Sequence, residues 1–240
     1  YERVDLPAPE QVDAYLPPFE PRQVLDPREP VSIGAMVGPE AFMEVRYLAH
    51  HRQMRALERI PRLSQEFREV FGRDSGGLIR TYRAEDAKTI VVALGSVNGT
   101  IKDVIDELRE AGFAIGAASI VSFRPFPSEA LHEVLSHAKR LVVIEKSLAV
   151  GIGGIVSHNL RMALSGISLH ASTVVAGLGG RAITRASLRS LFERALRDEL
   201  EPLTFLDLNQ AVVERELARE QARRRSGPSA ENILRDLGVR

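Results

Sequence analysis

The unit that decides the fold is Ser172-Thr173-Val174-Val175-Ala176-Gly177-Leu178-Gly179-Gly180-Arg181-Ala182-Ile183-Thr184. An apolar run opens this unit, and an amphipathic stretch follows it. Glycines between a strand and a helix permit positive φ angles and a close approach by another chain or a ligand. Thr184 is a candidate N-cap, and the amides at that helix start would face any anion placed there. The same residues also suit a plain tight turn, so the neighbouring motifs must decide its role.

The same alternation of strand and helix extends through the middle of the chain. Short apolar runs predict strands at Thr89–Leu94, Phe113–Val121, Leu141–Glu145 and Ser168–Ala176, with an edge strand at Leu78–Arg83 and a short last strand at Thr204–Leu208. Amphipathic spacing predicts helices at Gly99–Ala111, Ser128–Ala138, Gly154–Leu164 and Ala186–Leu200. This pattern indicates a mostly parallel sheet covered on both faces. Right-handed crossovers would make it an open, doubly wound α/β fold.

The first 74 residues follow a different pattern. More than half of the prolines lie in residues 1–30, which predicts an extended strap that lies on another surface. Val31–Val37 is a candidate strand. From Gly38 to Gly72 apolar residues recur every three to four positions, which predicts a long helix that Pro61 kinks or splits. Because Tyr1 opens what reads as a connecting segment, we expect further sequence upstream.

The end of the chain is predicted to be helical. A helix follows Asn209, a basic break comes at Arg223-Arg224-Arg225, and a last helical turn or two ends near Leu237. We therefore divide the chain into residues 1–74, the tail of an upstream domain, residues 75–208, the α/β domain, and residues 209–240, a helical extension.

Composition excludes several classes of function. The 32 basic residues balance the 32 acidic residues, so no global field favours nucleic acid or a membrane surface as a partner. The chain contains no cysteine, which excludes thiolate zinc sites and any iron–sulfur cluster ligated by it. No apolar run has the length of a membrane span. A cytoplasmic enzyme subunit fits these properties.

Ligands of open α/β sheets collect at the carboxyl ends of the strands, where four loops of this chain are expected. Leu94–Thr100 lacks the spacing of a dinucleotide fingerprint and the lysine of a P-loop, so a turn capped by Ser96, Asn98 or Thr100 is the simpler interpretation. Ser122–Ser128 is a rigid loop with two phenylalanines and Arg124. It suits either a subunit contact or a plug for the core.

The other two loops are rich in glycine. Glu145 precedes Gly151-Ile152-Gly153-Gly154 and is a candidate acid, base or ribose ligand, or else a cap for nearby amides. The last loop is Gly177–Arg181. The six histidines do not have the spacing of a metal site, and no nucleophile elbow occurs. The residues therefore indicate no self-sufficient active site, and we assign none of them a catalytic role.

The loop motifs in their order resemble a known family. Val92–Lys102, Phe123-Arg124-Pro125-Phe126-Pro127, Gly151–Gly154 and Ala176–Arg181 are together similar to the α subunit of pyruvate:ferredoxin and related 2-oxoacid:ferredoxin oxidoreductases. The resemblance covers about residues 1–208. It includes the Pro-rich strap with Leu16-Pro17-Pro18-Phe19, which resembles the tail of that subunit's first domain.

The resemblance implies both a chemistry and a division of labour. Such enzymes decarboxylate a 2-oxoacid oxidatively with coenzyme A, and they pass electrons through iron–sulfur clusters to ferredoxin. It implies that thiamine diphosphate and the clusters are bound elsewhere in the complex and not by this chain alone. The chain would then be inactive by itself, with β, γ and δ subunits or equivalent domains as partners. Its middle part would resemble the C-terminal domain of transketolases.

In that setting the loops are expected to touch other subunits. The candidate interface residues are those of the rigid and glycine-rich loops: Arg124, Phe126, Gly153, Gly154, Gly179, Gly180 and Arg181. Two alternatives stay open at this point. In the first alternative, the chain is a stand-alone α/β module that binds a small anion at the Thr184 or Gly154 helix start. In the second, it is a fragment of a transketolase or E1-type enzyme.

Overall fold

The computed structural model describes residues 4–222 and 227–239. Its N-terminal part consists of three helices: α1 (Pro9–Tyr15), α2 (Phe42–Met54) and α3 (Ala56–Phe71). Helix α1 packs on α3, where the Tyr15 ring meets Phe67 and Phe71 edge-on at 5.7 and 5.3 Å between centroids. The Tyr15 hydroxyl donates to the carbonyl of Leu63 at 3.2 Å. These contacts fasten the start of the chain to α3.

Three predictions for this part need correction. The strap is not extended throughout, because Pro9 opens α1 and the Gln11 side chain accepts from the amide of Ala8 at 3.0 Å. Val31–Val37 is not a strand, since a turn with Gly34 at φ 81° interrupts it. The long helix does split, but it splits at Arg55, while Pro61 lies inside α3. Pro61 has no N–H to donate to the carbonyl of Leu57, so one backbone hydrogen bond is missing in the first turns of α3, close to the split.

The middle of the chain forms one six-stranded sheet. Its strands are β1 (Ile79–Tyr82), β2 (Thr89–Ala93), β3 (Ile115–Ile120), β4 (Arg140–Glu145), β5 (His170–Val175) and β6 (Leu203–Phe205). Their order is β1-β3-β2-β4-β5-β6, with β1 antiparallel at the edge and the other five parallel. The predicted mostly parallel α/β sheet is confirmed.

Four helices cover the sheet, namely α4 (Val97–Glu110), α5 (Ser128–Leu135), α6 (Ile155–Ala163) and α7 (Arg185–Leu196). One buried cluster joins α4 and α7 to the strand residues of one face, with Ile101, Leu191 and Phe192 among its members. The other cluster joins α5 and α6 to the opposite face through Leu131, Leu135 and Leu160. Residues of β2, β3 and β4 alternate between the two clusters, so these central strands are buried on both sides, as in doubly wound sheets.

The expectation of right-handed crossovers fails for the last connection. Helix α4 leads from β2 to β3 on one face, whereas α5 and α6 lead in the opposite direction on the other face, so these three crossovers share one hand. The connection through α7, from β5 to β6, runs across the sheet in the same direction as those through α5 and α6. However, α7 packs on the face of the sheet that α4 covers. The β5–α7–β6 crossover therefore has the opposite hand from the other three.

Two helices end the described chain, α8 (Gln210–Gln221) and α9 (Ser229–Asp236). They pack on each other through Arg219, whose guanidinium contacts Asp236 at 2.8 Å, and through Asn232, which donates to Glu216 at 3.0 Å. The predicted basic break, Arg223-Arg224-Arg225, lies outside the described residues. Among the described residues, no helix is both long and apolar enough to cross a bilayer.

Candidate functional site at the carboxyl edge

The loops that follow the parallel strands all lie at one edge of the sheet, which we call the carboxyl edge. They are the segments after β2, β3, β4, β5 and β6, that is, residues 94–96, 121–127, 146–154, 176–184 and 206–209. Neighbouring strands lie about 4.8 Å apart, so the edge is about 19 Å wide from β3 to β6. Strand order reverses between β2 and β4, which is where open α/β sheets form a crevice.

Glu145 ends β4 and is buried at this crevice. Its carboxylate accepts from the amides of Ile155 at 2.7 Å and Val156 at 2.8 Å. It also accepts from the Ser157 amide and hydroxyl at 3.3 and 3.0 Å and from the Ser147 hydroxyl at 3.3 Å. Of the roles considered, this is the cap of nearby amides. The start of α6 is therefore already filled by the chain's own anion, and these amides are not available to an external one.

Gly154 makes this cap possible. A side chain at Gly154 would clash with Glu145 Oε1 and would lie 2.5 Å from the hydroxyl of Ser157. Gly153 is buried too, with φ at 111°, and a Cβ there would lie 3.7 Å from the Leu203 side chain. Both glycines are thus enclosed by their own chain, whereas Val150 and Ile152 project from the same loop into solvent.

The aromatic side chains of the rigid loop after β3 plug the core, which is one of the two roles that its sequence suits. Phe123 and Phe126 meet edge-on at 5.8 Å and pack against the cluster that contains α5 and α6. Arg124 between them is exposed, and its guanidinium lies 4.2 Å above the Phe123 ring. The aromatic rings therefore close the core, and the cation on top of them remains at the surface.

The glycine turn after β5 has the predicted form. Gly177, Gly179 and Gly180 have φ angles of 70°, 65° and 84°. Thr184 caps α7 by accepting from the amide of Ser187 at 3.1 Å. Gly179 and Gly180 are exposed, with open space where a Cβ would stand. Arg181 is exposed as well and donates to the carbonyl of Asp207 after β6.

The loop after β2 is shorter than predicted. Helix α4 begins at Val97, so Asn98, Gly99 and Thr100 belong to the helix. Ser96 stands at the N-cap position, but its side chain makes no capping hydrogen bond. Asn98 instead donates from its side chain to the carbonyl of Gly95 at 3.0 Å. The turn is thus tied by Asn98 rather than capped.

A cavity of about 320 Å³ opens at the crevice. Its walls are mostly apolar and come from three loops and two helix starts, with Leu94, Val97, Phe123, Ile144, Ile155 and Val156 as the apolar members. Lys146 and Ser147 stand at its rim. Sequence reasoning missed this cavity, Lys146, Val150 and Ile152. Aliphatic residues inside a glycine-rich loop were the signal that could have drawn attention to two of them.

A larger cleft, of about 1060 Å³, lies elsewhere, between α3 and the edge strand β1. Its charges are compensated internally, because Asp74 contacts Arg68 at 3.2 Å and Arg80 at 3.4 Å. A hydrogen bond from the Gly76 amide, then one from Arg68, and the positive charges of Arg80 and Arg68 lower the pKa of Asp74. The Asp74 carboxylate of this cleft is therefore already paired within its own chain.

The acidic and histidine side chains of the described residues do not form a metal site. Within residues 4–222 and 227–239, no group of three histidine, aspartate or glutamate side chains could hold a metal ion. Lowered carboxyl pKa values belong to ion pairs. A hydrogen bond from Arg185 lowers the pKa of Glu107 between α4 and α7, and one from Arg140 lowers that of Asp198 at the opposite edge. These are structural contacts.

Comparisons with known proteins identify this arrangement. Residues 87–188 match the family described as pyruvate:ferredoxin oxidoreductase core domain II. The pyruvate synthase subunit PorA of Methanothermobacter thermautotrophicus is 38% identical over 209 residues, which cover 87% of this chain and 54% of that protein. The chain belongs to the family of pyruvate:ferredoxin oxidoreductase α subunits.

The chain is also similar to a second kind of oxidoreductase subunit and to two solved structures. The ketoisovalerate oxidoreductase subunit VorA of Pyrococcus horikoshii is 34% identical over 196 residues, 80% of this chain and 50% of that protein. The chain thus spans about half the length of the curated relatives that it matches. Among solved structures, the 2-oxoglutarate:ferredoxin oxidoreductase of Magnetococcus marinus shares 17% identity with a TM-score of 0.41, covering 59% of this chain and 23% of that one. A split-gene transketolase shares 21% identity with a TM-score of 0.40, covering 49% and 42%.

Proposed function

We propose that the chain is the C-terminal portion of the α subunit of a thiamine diphosphate-dependent 2-oxoacid:ferredoxin oxidoreductase that acts on pyruvate. In this role it supports coenzyme A-dependent oxidative decarboxylation by packing against the catalytic subunits. The single observation that carries the proposal is the match of residues 87–188 to core domain II, flanked by identity to PorA along most of the chain.

The residues present do not fit the cofactors of that reaction. Iron–sulfur clusters need cysteine ligands, and the chain has none. A diphosphate would be expected at a helix start such as that of α6, but the amides there already donate to Glu145. We therefore propose that thiamine diphosphate and the clusters reside in partner subunits or domains, and that the chemical steps take place there.

The N-terminal part supports a role in assembly. The chain exposes 16709 Å², whereas a compact monomer of 26.5 kDa exposes about 10,700 Å². Helix α2 contributes to the excess, because none of its 13 residues is buried and Phe42, Met43 and Tyr47 are exposed. We propose that residues 1–74 are the tail of an upstream domain, which would cover α2 in the whole subunit.

The middle and end of the chain complete the proposed division. Residues 75–208 would be the α/β domain similar to the C-terminal domain of transketolases, and residues 209–240 a helical extension. The interface residues expected from the sequence, including Arg124, Phe126 and Arg181, remain candidates for contacts with β, γ and δ subunits. Ferredoxin as electron acceptor and a cytoplasmic location stay predictions.

Copurification tests this proposal. The chain is coexpressed with the upstream half of its α subunit and with the candidate β, γ and δ subunits, and the isolated complex is assayed for pyruvate- and coenzyme A-dependent reduction of ferredoxin. We expect activity from the complex and none from the chain alone. A complex that contains a lipoyl-bearing partner and no cysteine-rich subunit would support the E1-type alternative instead.

A further inference from the structure

Three exposed cations stand on the carboxyl edge without a carboxylate beside them. They are Arg124 after β3, Lys146 after β4 and Arg181 after β5. Within the described part of the chain, no carboxylate oxygen lies within 4.0 Å of any of them, although Glu129 and Asp207 belong to the same edge. By contrast, Arg140 at the opposite edge is paired with Asp198. The carboxyl edge therefore presents cations that are free to pair with another molecule.

The same edge exposes aliphatic side chains. Val150 is 88% exposed and Ile152 is 66% exposed, both on the loop after β4, and Leu178 is exposed on the glycine turn after β5. These side chains do not fold back onto their own core even though the loop is tied down. Glu145 holds the amides of α6, and Ala149 pairs with Gly153 at 2.7 Å between amide and carbonyl. The loop is thus preorganised with its apolar residues outward.

The cavity at the crevice lies between the loop after β3 and the loop after β4, which contribute Phe123 and Lys146 to its lining. Its apolar walls, which include Leu94, Phe123 and Ile155, accept a bulky side chain from outside, and Lys146 stands at the rim. An apolar pocket with a cation at its rim, on an edge that also exposes aliphatic side chains and two arginines, has the composition of a protein-binding hot spot. A small metabolite would leave Val150 and Ile152 in water, since they lie outside the walls of the cavity.

We propose that the carboxyl edge is the docking face for an acidic surface of a partner subunit, which inserts one bulky apolar side chain into the cavity beside Phe123. The inference rests on the proposed function, because the partner is another subunit of the same complex. Charge complementarity favours a partner subunit with an acidic surface over a second copy of this chain. A second copy docked edge to edge would bring Arg124, Lys146 and Arg181 against the same cations, which disfavours self-association.

The test uses the full chain and the coexpressed partner subunits, with two pairs of variants. Lys146→Glu is compared with Lys139→Glu, another exposed lysine, which precedes β4 at the opposite edge. Ile152→Asp is compared with Met162→Asp, which lies exposed near the end of α6. The measured quantity is the Kd for the partner subunits at low and high salt, with the melting temperature of each variant as a control for folding.

We expect Lys146→Glu and Ile152→Asp each to raise the Kd about tenfold or more, and each control to change it less than about twofold. High salt should weaken wild-type assembly and reduce the effect of Lys146→Glu. Equal assembly by all variants, while the wild type assembles, would overturn the docking face and leave the proposed function standing. A homodimer that Ile152→Asp dissolves would overturn it in favour of a second copy. No assembly by the wild type would overturn the proposed function itself.

Discussion

The carboxylate of Glu145 lies directly against Gly154, in space that any other residue's Cβ would occupy. This contact lets a strand-end carboxylate reach the first amides of α6 at 2.7 and 2.8 Å. One residue without a side chain thus lets a charged group serve as the cap of a helix, and the loop from 146 to 154 is shaped around it. Glu145 therefore occupies the helix start at which an external anion could otherwise bind.

Replacement of Gly154 by alanine should destabilise the fold. The backbone at Gly154, with φ at −80° and ψ at 150°, suits alanine, so the cost comes from the clash with Glu145. We expect Gly154→Ala to lower the free energy of unfolding by about 2–4 kcal/mol in urea titrations. Gly99→Ala is the matched control, because open space surrounds Gly99 in α4 and alanine there should be neutral or stabilising. Equal effects of the two substitutions would contradict this account.

Replacement of Glu145 by glutamine tests the cap itself. Both carboxylate oxygens accept from donors, so the amide group of glutamine would set N–H against N–H. We expect Glu145→Gln to cost about 2–3 kcal/mol of unfolding free energy and to speed hydrogen exchange at Ile155 and Val156. Glu129→Gln, on the exposed first turn of α5, should leave both quantities nearly unchanged. Unchanged exchange at Ile155 in Glu145→Gln would show that the cap contributes little.

The Glu107 contacts between α4 and α7 should make stability depend on pH. Hydrogen bonds from Arg185, and from Arg189 in addition, lower the pKa of Glu107 from its ordinary value of 4.5. A carboxyl whose pKa is lower in the folded chain stabilises the fold above its unfolded pKa and loses that contribution as pH falls. We expect Glu107→Gln to lower the melting temperature at pH 7 and the difference from wild type to shrink below pH 4.5. Glu110→Gln, on the same helix, is the control, and a difference that grows in acid would refute the prediction.

Removal of the loop arginines should affect assembly more than folding. Within the described residues, Arg124 donates to the Phe123 carbonyl and stacks on the Phe123 ring, and Arg181 donates to the carbonyl of Asp207. We expect Arg124→Ala and Arg181→Ala to weaken binding of partner subunits more than they lower the melting temperature of the chain. Loss of thermal stability with intact assembly would count against an interface role for these residues.

The sheet could be predicted from the sequence because short apolar runs alternate with amphipathic helices from β2 to β5. The Thr184 cap and the φ angles of the Gly177 turn follow from local chemistry in the same way. The hand of the last crossover could not be predicted, because it depends on which face α7 packs against. The burial of Gly153 and Gly154 could not be predicted either, because their neighbours Leu203 and Glu145 reach them only in the folded chain.

The N-terminal part shows the limit of local pattern. Proline content alone predicted an extended strap, yet Tyr15 has Phe67 and Phe71 to pack against, and this tertiary contact favours a helix. Helix α2 was predicted correctly in kind, but its lack of burial appears only in three dimensions. The cavity at the crevice is likewise a product of topology, because three separate loops supply its walls.

The most direct test of the central claim is the activity of the purified chain with and without its partner subunits, measured alongside calorimetric titration with thiamine diphosphate and Mg²⁺. We predict that the chain alone neither decarboxylates pyruvate nor binds thiamine diphosphate stoichiometrically, and that the reconstituted complex does both. Pyruvate decarboxylation by the chain alone, or tight one-to-one binding of thiamine diphosphate to it, would contradict the account.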